Sequence, residues 1–157
     1  VTGAEHRLAE LGIDLPAAVA PRPTIVTARR IGDLVYLSGR GPTGSPDGRR
    51  FAGKVGLDLD LDEAREAARV VGLNLLAAVR AELGSLDEVT ACVKVFGIVN
   101  VAPGFTQIGD VVDGCSELLL AVFGDDVGRH ARTTMGAAEL PNDYAVAIDL
   151  IVAARPR

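Results

Sequence analysis

The sequence predicts an α+β fold, with an antiparallel or mixed sheet and two helices packed on one face. Two long segments carry apolar residues at steps of three and four and read as amphipathic helices. Shorter segments rich in β-branched residues read as strands. Their order is β-β-loop-α-β-α-β-β, with too few helices and too many neighbouring strands for a doubly wound parallel sheet. The 157 residues fit one domain, and at 48% apolar content they fill a sizeable core. Aromatic residues are only 4% and Trp is absent, so that core is built from Ala, Val, Leu and Ile.

Thr2-Gly3-Ala4-Glu5 has the spacing of a capping box, and Gly12 is a stop signal, so a short helix is expected over residues 3–11. Pro16, Pro21 and Pro23 then keep the chain extended. Residues 1–23 form this helix and extended segment; the main domain is expected over 24–157. Its first strands are Thr24 to Arg29 and Leu34 to Ser38, joined by the turn signal Gly32-Asp33. Residues 39–57, rich in Gly, Pro and charge, read as a long loop holding at most one short strand. Asp60 and Glu63 open the strongest helix, 61–83, with Ala64, Ala68, Val71, Leu75 and Ala78 on one face and Gly84 closing it. Val89 to Val99 is a long strand with Gly97 as its weak point. Pro103 opens the second helix, which Gly124 ends. A closing hairpin follows: one strand from Arg132, the turn signal Leu140-Pro141-Asn142-Asp143, and a strand from Ala145 to Ala153. With both helices on one face, the other carries Val, Ala, Thr and Ile. Such a patch marks an interface, so an oligomer is expected.

The formal net charge of −5 disfavours a nonspecific phosphate-backbone binder, and no nucleic-acid partner is expected. No stretch approaches the roughly 20 apolar residues that cross a bilayer. No basic start precedes an apolar run, so a cytoplasmic location is expected. Cys92 and Cys115 lack metal-type spacing; a disulfide is one reading, and two lone buried thiols the favoured one. Gly39-Arg40-Gly41-Pro42-Thr43-Gly44 matches a dinucleotide fingerprint, but Ser45-Pro46-Asp47-Gly48 continues a loop where a helix must begin. No cofactor and no metal are expected. His6 and His130 are the only histidines and lie far apart. Asp113 and Glu117, one helical turn apart, are either an acid–base or metal pair or a polar stripe, with the stripe favoured.

Arg132 stands apart because small and apolar residues surround it. A half-buried guanidinium has an anionic partner, and its flat fork suits a carboxylate. That partner is either an acid of the protein or a ligand in an apolar pocket.

Leu37-Ser38-Gly39, the helix-strand-helix centre, and Ala131-Arg132 followed by Leu140-Pro141 and a final strand resemble the Rid family, the reactive-intermediate deaminases also called YjgF. The resemblance covers roughly residues 24–153. Leu11-Gly12-Ile13-Asp14-Leu15-Pro16, Gly53-Lys54-Val55-Gly56, Leu73-Asn74-Leu75-Leu76, Ala102-Pro103-Gly104-Phe105 and Ser116-Glu117-Leu118-Leu119 resemble a bacterial subgroup with an N-terminal extension. It implies a chorismate-mutase-like fold and a homotrimeric barrel with ligand sites in the clefts between subunits. It also implies hydrolysis of a 2-imino acid, or its enamine, to a 2-keto acid and ammonia, with Arg132 on the substrate carboxylate. Several positions depart from the family's pattern. Ile25 stands where a tyrosine is common, Arg40 replaces the glutamine after Ser38-Gly39, and Thr134 stands at a cysteine position. Ala147 replaces a glutamate, and Asp149, about 7 Å further along the strand, is a poor substitute. The residues expected at the site are therefore Arg132 and Thr134 for catalysis. Ile25, Ser38, Gly39, Arg40, Asp113, Glu117 and Ala147 join Arg132 in substrate binding. Two alternatives accompany the hydrolase: a non-hydrolytic small-carboxylate-binding regulatory trimer, and a biosynthetic enzyme using the same pocket for condensation or cyclisation.

Overall fold

A computed structural model describes residues 2–157. Helix α1 spans Ala4–Glu10. Strands β1 (Ala28–Ile31) and β2 (Leu34–Arg40) form the first hairpin. Helix α2 (Leu61–Leu83), strand β3 (Val89–Asn100), helix α3 (Ile108–Gly128) and strands β4 (Ala131–Ala137) and β5 (Val146–Ala154) follow. The sheet order is β1-β2-β5-β3-β4. β5 is antiparallel to both neighbours, and β4 is parallel to β3. This is the expected α+β architecture with a mixed sheet.

The closing hairpin is corrected. β4 and β5 are not neighbours, because β3 lies between them. The cause is α3: a helical crossover returns the chain parallel to the strand it left, so β4 joins β3 from the outside. The turn at 141–143 is real, but it carries the chain past the end of β3 rather than closing a hairpin. Asn142 and Asp143 take left-handed φ values of 55° and 57° there, a conformation these two residue types tolerate best.

Other boundaries move for local reasons. The proline-rich stretch delays β1 to Ala28. Pro103 lies in a turn, and α3 starts only at Ile108. Gly124, at φ 76°, breaks α3 where expected, and one more turn follows. The capping box at 2–5 does not form. Glu5 instead accepts bonds from Arg80 and from the Leu86 amide, tying α1 to α2. Burial alone would raise the Glu5 carboxyl, but Arg80 and that amide hold it below its ordinary value. α2 does have its capping box, between Asp60 and Glu63. The loop before α2 contains isolated bridges rather than a strand, and its Phe51 and Val55 are core residues.

Burial alternates along β5: Val146, Ile148, Leu150, Val152 and Ala154 face α2 and α3. Small residues allow the helices this close. A Cβ on Gly114 would run into the Arg65 carbonyl, and one on Gly97 would strike Val112 at 2.6 Å. The weak point of β3 is therefore where α3 rests on the sheet. The opposite face is open. It presents Tyr36, Phe96, Ile98, Met135 and Ile151, with Lys94 donating to the Thr133 hydroxyl at 2.6 Å. Burial raises the Asp149 carboxyl on this face above its usual range, with Lys94 pulling the other way. No described helix is long and apolar enough to cross a membrane.

Cys92 and Cys115 are free and buried, and burial pushes each thiol up to about 12. At pH 8 such a thiol is roughly one part in ten thousand thiolate. The native protein is expected to show no fast reaction with a thiol-disulfide reagent and to expose two thiols in denaturant. A rapid native reaction contradicts this packing.

Candidate functional site

Two cationic features stand apart in the chain. The first is on the helix side of edge strand β4. Arg132 alternates inward with Thr134 and Gly136 and points at α3. Its Nη1 donates to Asp113 Oδ1 at 2.7 Å and to Ser116 Oγ at 3.1 Å, and its Nη2 donates to the Gly109 carbonyl at 3.3 Å. Nε and one hydrogen of Nη2 have no partner among the described residues, so one edge of the fork stays open to an acceptor.

Ser116 is 9% exposed and links this guanidinium to His130. His130 Nδ1 lies 2.7 Å from the Gly128 carbonyl, which can only accept, so the ring proton is on Nδ1. Nε2 then accepts from Ser116 at 2.9 Å, leaving the hydroxyl oxygen free to receive Arg132. Asp113 and Glu117 both lie beside Arg65. Glu117 accepts two bonds from Arg65 Nη2 at 2.7 and 2.9 Å, and Asp113 lies 3.9 Å from Arg65 Nη1. Both carboxylates have arginine partners. No group of three or more His, Cys, Asp or Glu among the described residues is arranged to hold a metal.

The second feature is a cavity of about 490 Å³ on the open side of the sheet. Ile25, Ser38, Gly39, Arg40 and Ala147 all line it, together with Ile98, Tyr144 and Arg22. Ser38 Oγ donates to the Val26 carbonyl at 2.6 Å, pinning the segment before β1 over β2. The ladder between β2 and β5 shifts register between Leu37 and Arg40, which turns Arg40 into the cavity wall. Asn74 of α2 donates to the carbonyls of Gly41 and Thr43 at 3.3 and 2.8 Å and fixes the loop beyond. A Cβ on Gly41 would collide with the Tyr144 ring. The glycines that imitate a dinucleotide fingerprint thus serve a loop and an aromatic neighbour; α2 begins only at Leu61. Asn100, fully buried, receives Lys54 on its oxygen at 3.0 Å and donates to Asp143 at 3.3 Å, between the lining residues Asn142 and Tyr144.

Arg132, Thr134, Asp113 and Glu117 are not among the residues lining this cavity. β5 and β3 separate Arg40 on β2 from Arg132 on β4, a lateral span of about 14 Å at ordinary strand spacing, although the cavity reaches β3 through Ile98. Arg132 also faces the helices while the cavity faces away from them. One small ligand cannot touch both within one chain. Sequence reasoning missed Arg22, Tyr144 and Ser116. Ser116 alone had a signal: it lies one helical turn after Asp113.

The profile of the family described as "YjgF/chorismate mutase-like, putative endoribonuclease" matches residues 5–153. Protein TCP17 of Trypanosoma cruzi is 41% identical over 145 residues, which are 92% of this chain and 90% of that protein. The crystal structure of Atu1372, a protein of unknown function from Agrobacterium tumefaciens, superposes with a TM-score of 0.85 at 38% identity, over 96% of this chain and 91% of that one. An endoribonuclease-named structure from Shewanella oneidensis MR-1 gives 0.88 at 26% identity, over 96% and 99%. On this evidence the chain belongs to the YjgF/chorismate mutase-like family.

Proposed function

We propose that the protein is a Rid-type hydrolase of small carboxylate-bearing imines or enamines, working as a cytoplasmic homotrimer with its sites between protomers. The observation that carries this reading is the convergence of Ile25, Ser38, Gly39 and Ala147, far apart in sequence and matched to the family's site, on one cavity. Arg132, the matched carboxylate anchor, stands on a free sheet edge and keeps donors to spare. A neighbouring protomer that brings its β4 edge to this cavity completes the site. The apolar open face of the sheet gives such a neighbour something to bury.

The chemistry asks little of the protein. A 2-imino acid is already electrophilic at its C=N carbon. Water adds there, the nitrogen takes a proton, and ammonia leaves as the 2-keto acid forms. Holding the carboxylate on Arg132 beside a bound water supplies most of the acceleration through orientation. Hydrogen bonds to the departing nitrogen supply the rest.

A second reading, a non-hydrolytic carboxylate-binding trimer, is favoured by Ala147, which offers no proton relay where deaminases of the family carry a glutamate. Ribonuclease action, suggested by the family's descriptive name, fits less well. The net charge is −5, and the two histidines have other partners: His6 lies by Glu10, and His130 by Ser116 and the Gly128 carbonyl.

Hydrolysis of a 2-imino acid generated in place by an amino-acid oxidase separates these readings. Keto-acid release faster than the uncatalysed rate, lost in Arg132→Ala, is expected; no acceleration leaves the binding trimer. Arg132→Ala is also expected to weaken a small carboxylate ligand by about 2–3 kcal/mol, the lower part of the range for a buried pair, since its side chain is 26% exposed. Unchanged calorimetric affinity removes the anchor. Light scattering is expected to give a particle of three 16.3 kDa chains; a monomer at micromolar concentration removes the intersubunit site.

A further inference from the structure

The cavity on the open face contains a guanidinium with an unmet demand. Arg40 Nη2 is fully shielded from solvent, yet it has no hydrogen-bond partner among the described residues. Burying such a donor unpaired is costly, and more so when it is charged. Among the described residues no salt bridge reaches Arg40. The same cavity is lined by Arg22 and by no Asp or Glu at all. Burial, together with the nearby Arg22 charge, lowers the Arg40 guanidinium below its ordinary value. Two like charges this close repel, and burial leaves the Arg40 charge poorly solvated. In a chain of net charge −5, an acid-free pocket holding two arginines is an anion receptor awaiting its anion. The contrast with Arg132 is direct: that guanidinium has its own carboxylate, Asp113, and Arg40 has none.

We infer that Arg40 and Arg22 form an anion subsite distinct from the Arg132 anchor, so that the ligand carries a second acidic group. The substrate class is then the imine or enamine of a dicarboxylic amino acid, a statement that rests on the imine-hydrolase reading of this cavity. Arg40 supplies the guanidinium in the cavity wall, while Arg22, exposed on the segment before β1, adds charge at the rim. The main competitor for the subsite is a carboxylate of a neighbouring protomer, which would leave it closed to ligands.

The test compares butyrate with succinate, acids of equal chain length that differ by one carboxylate, by calorimetry on the wild-type protein at low ionic strength. Succinate is expected to bind at least about tenfold more tightly, the effect of one added charge-assisted contact. In Arg40→Met the preference is expected to fall to about one, and in Arg22→Met to shrink, with thermal melts confirming that both variants fold. Equal affinity for the two acids in the wild type overturns the subsite and leaves the imine-hydrolase reading intact. So does a preference that survives in Arg40→Met. A succinate preference in a protein that hydrolyses no 2-imino acid keeps the subsite and removes the reading. Failure to bind either acid overturns the subsite, in favour of the neighbour's carboxylate.

Discussion

The insertion of β5 between β2 and β3 sets the distance between the two cationic features of this chain. β5 takes both antiparallel partners, α3 returns the chain parallel to β3, and β4 is left on the outer edge. Arg132 rides on that edge and faces the helices. The cavity of Ser38, Gly39 and Arg40 opens near the other side of the sheet and away from the helices. Once that topology forms, no rotamer change inside one chain can bring the two together. A shared ligand requires a second copy, and the open apolar face offers one a surface to bury.

The electrostatics of the two arginines differ for reasons that the topology supplies. Arg132 lies over α3, where Asp113, Ser116 and the Gly109 carbonyl share its fork. Asp113 is 37% exposed, and a pair of that kind contributes at most about 1 kcal/mol. It orients the guanidinium without exhausting it, and His130 holds Ser116 in the accepting role that completes the clasp. Arg40 sits where the β2–β5 register slips, in a cavity lined by a second arginine and by no Asp or Glu among the described residues. Its Nη2 has no partner among the described residues, which makes a ligand group the natural counterpart.

The periodic elements were legible in the sequence because burial follows from spacing. α2 begins and ends as its capping box and Gly84 dictate, and Gly124 breaks α3 through its positive φ. The partner of β4 was not legible. A turn signal reports that the chain reverses, not which strand it meets next, and the long α3 crossover decides that. Likewise, Ile25, Ser38, Gly39, Arg40 and Ala147 were selected through family likeness and share a cavity. Arg22 escaped notice because a lone arginine between two prolines carries no periodic signal. Asp113 and Glu117 looked like a pair by spacing, but Arg65 and Arg132, from two other elements, claim them.

The claim that each ligand site joins two protomers is tested most directly by subunit complementation. Arg132→Ala removes the anchor, and Ala147→Phe fills the cavity; each alone is expected to lose binding of a small carboxylate. Random co-assembly of equal amounts restores about a quarter of the sites, because a neighbour pair can then combine an intact anchor with an open cavity. Calorimetric recovery of that fraction supports the account. No recovery in verified mixed oligomers contradicts it and returns the site to a single chain.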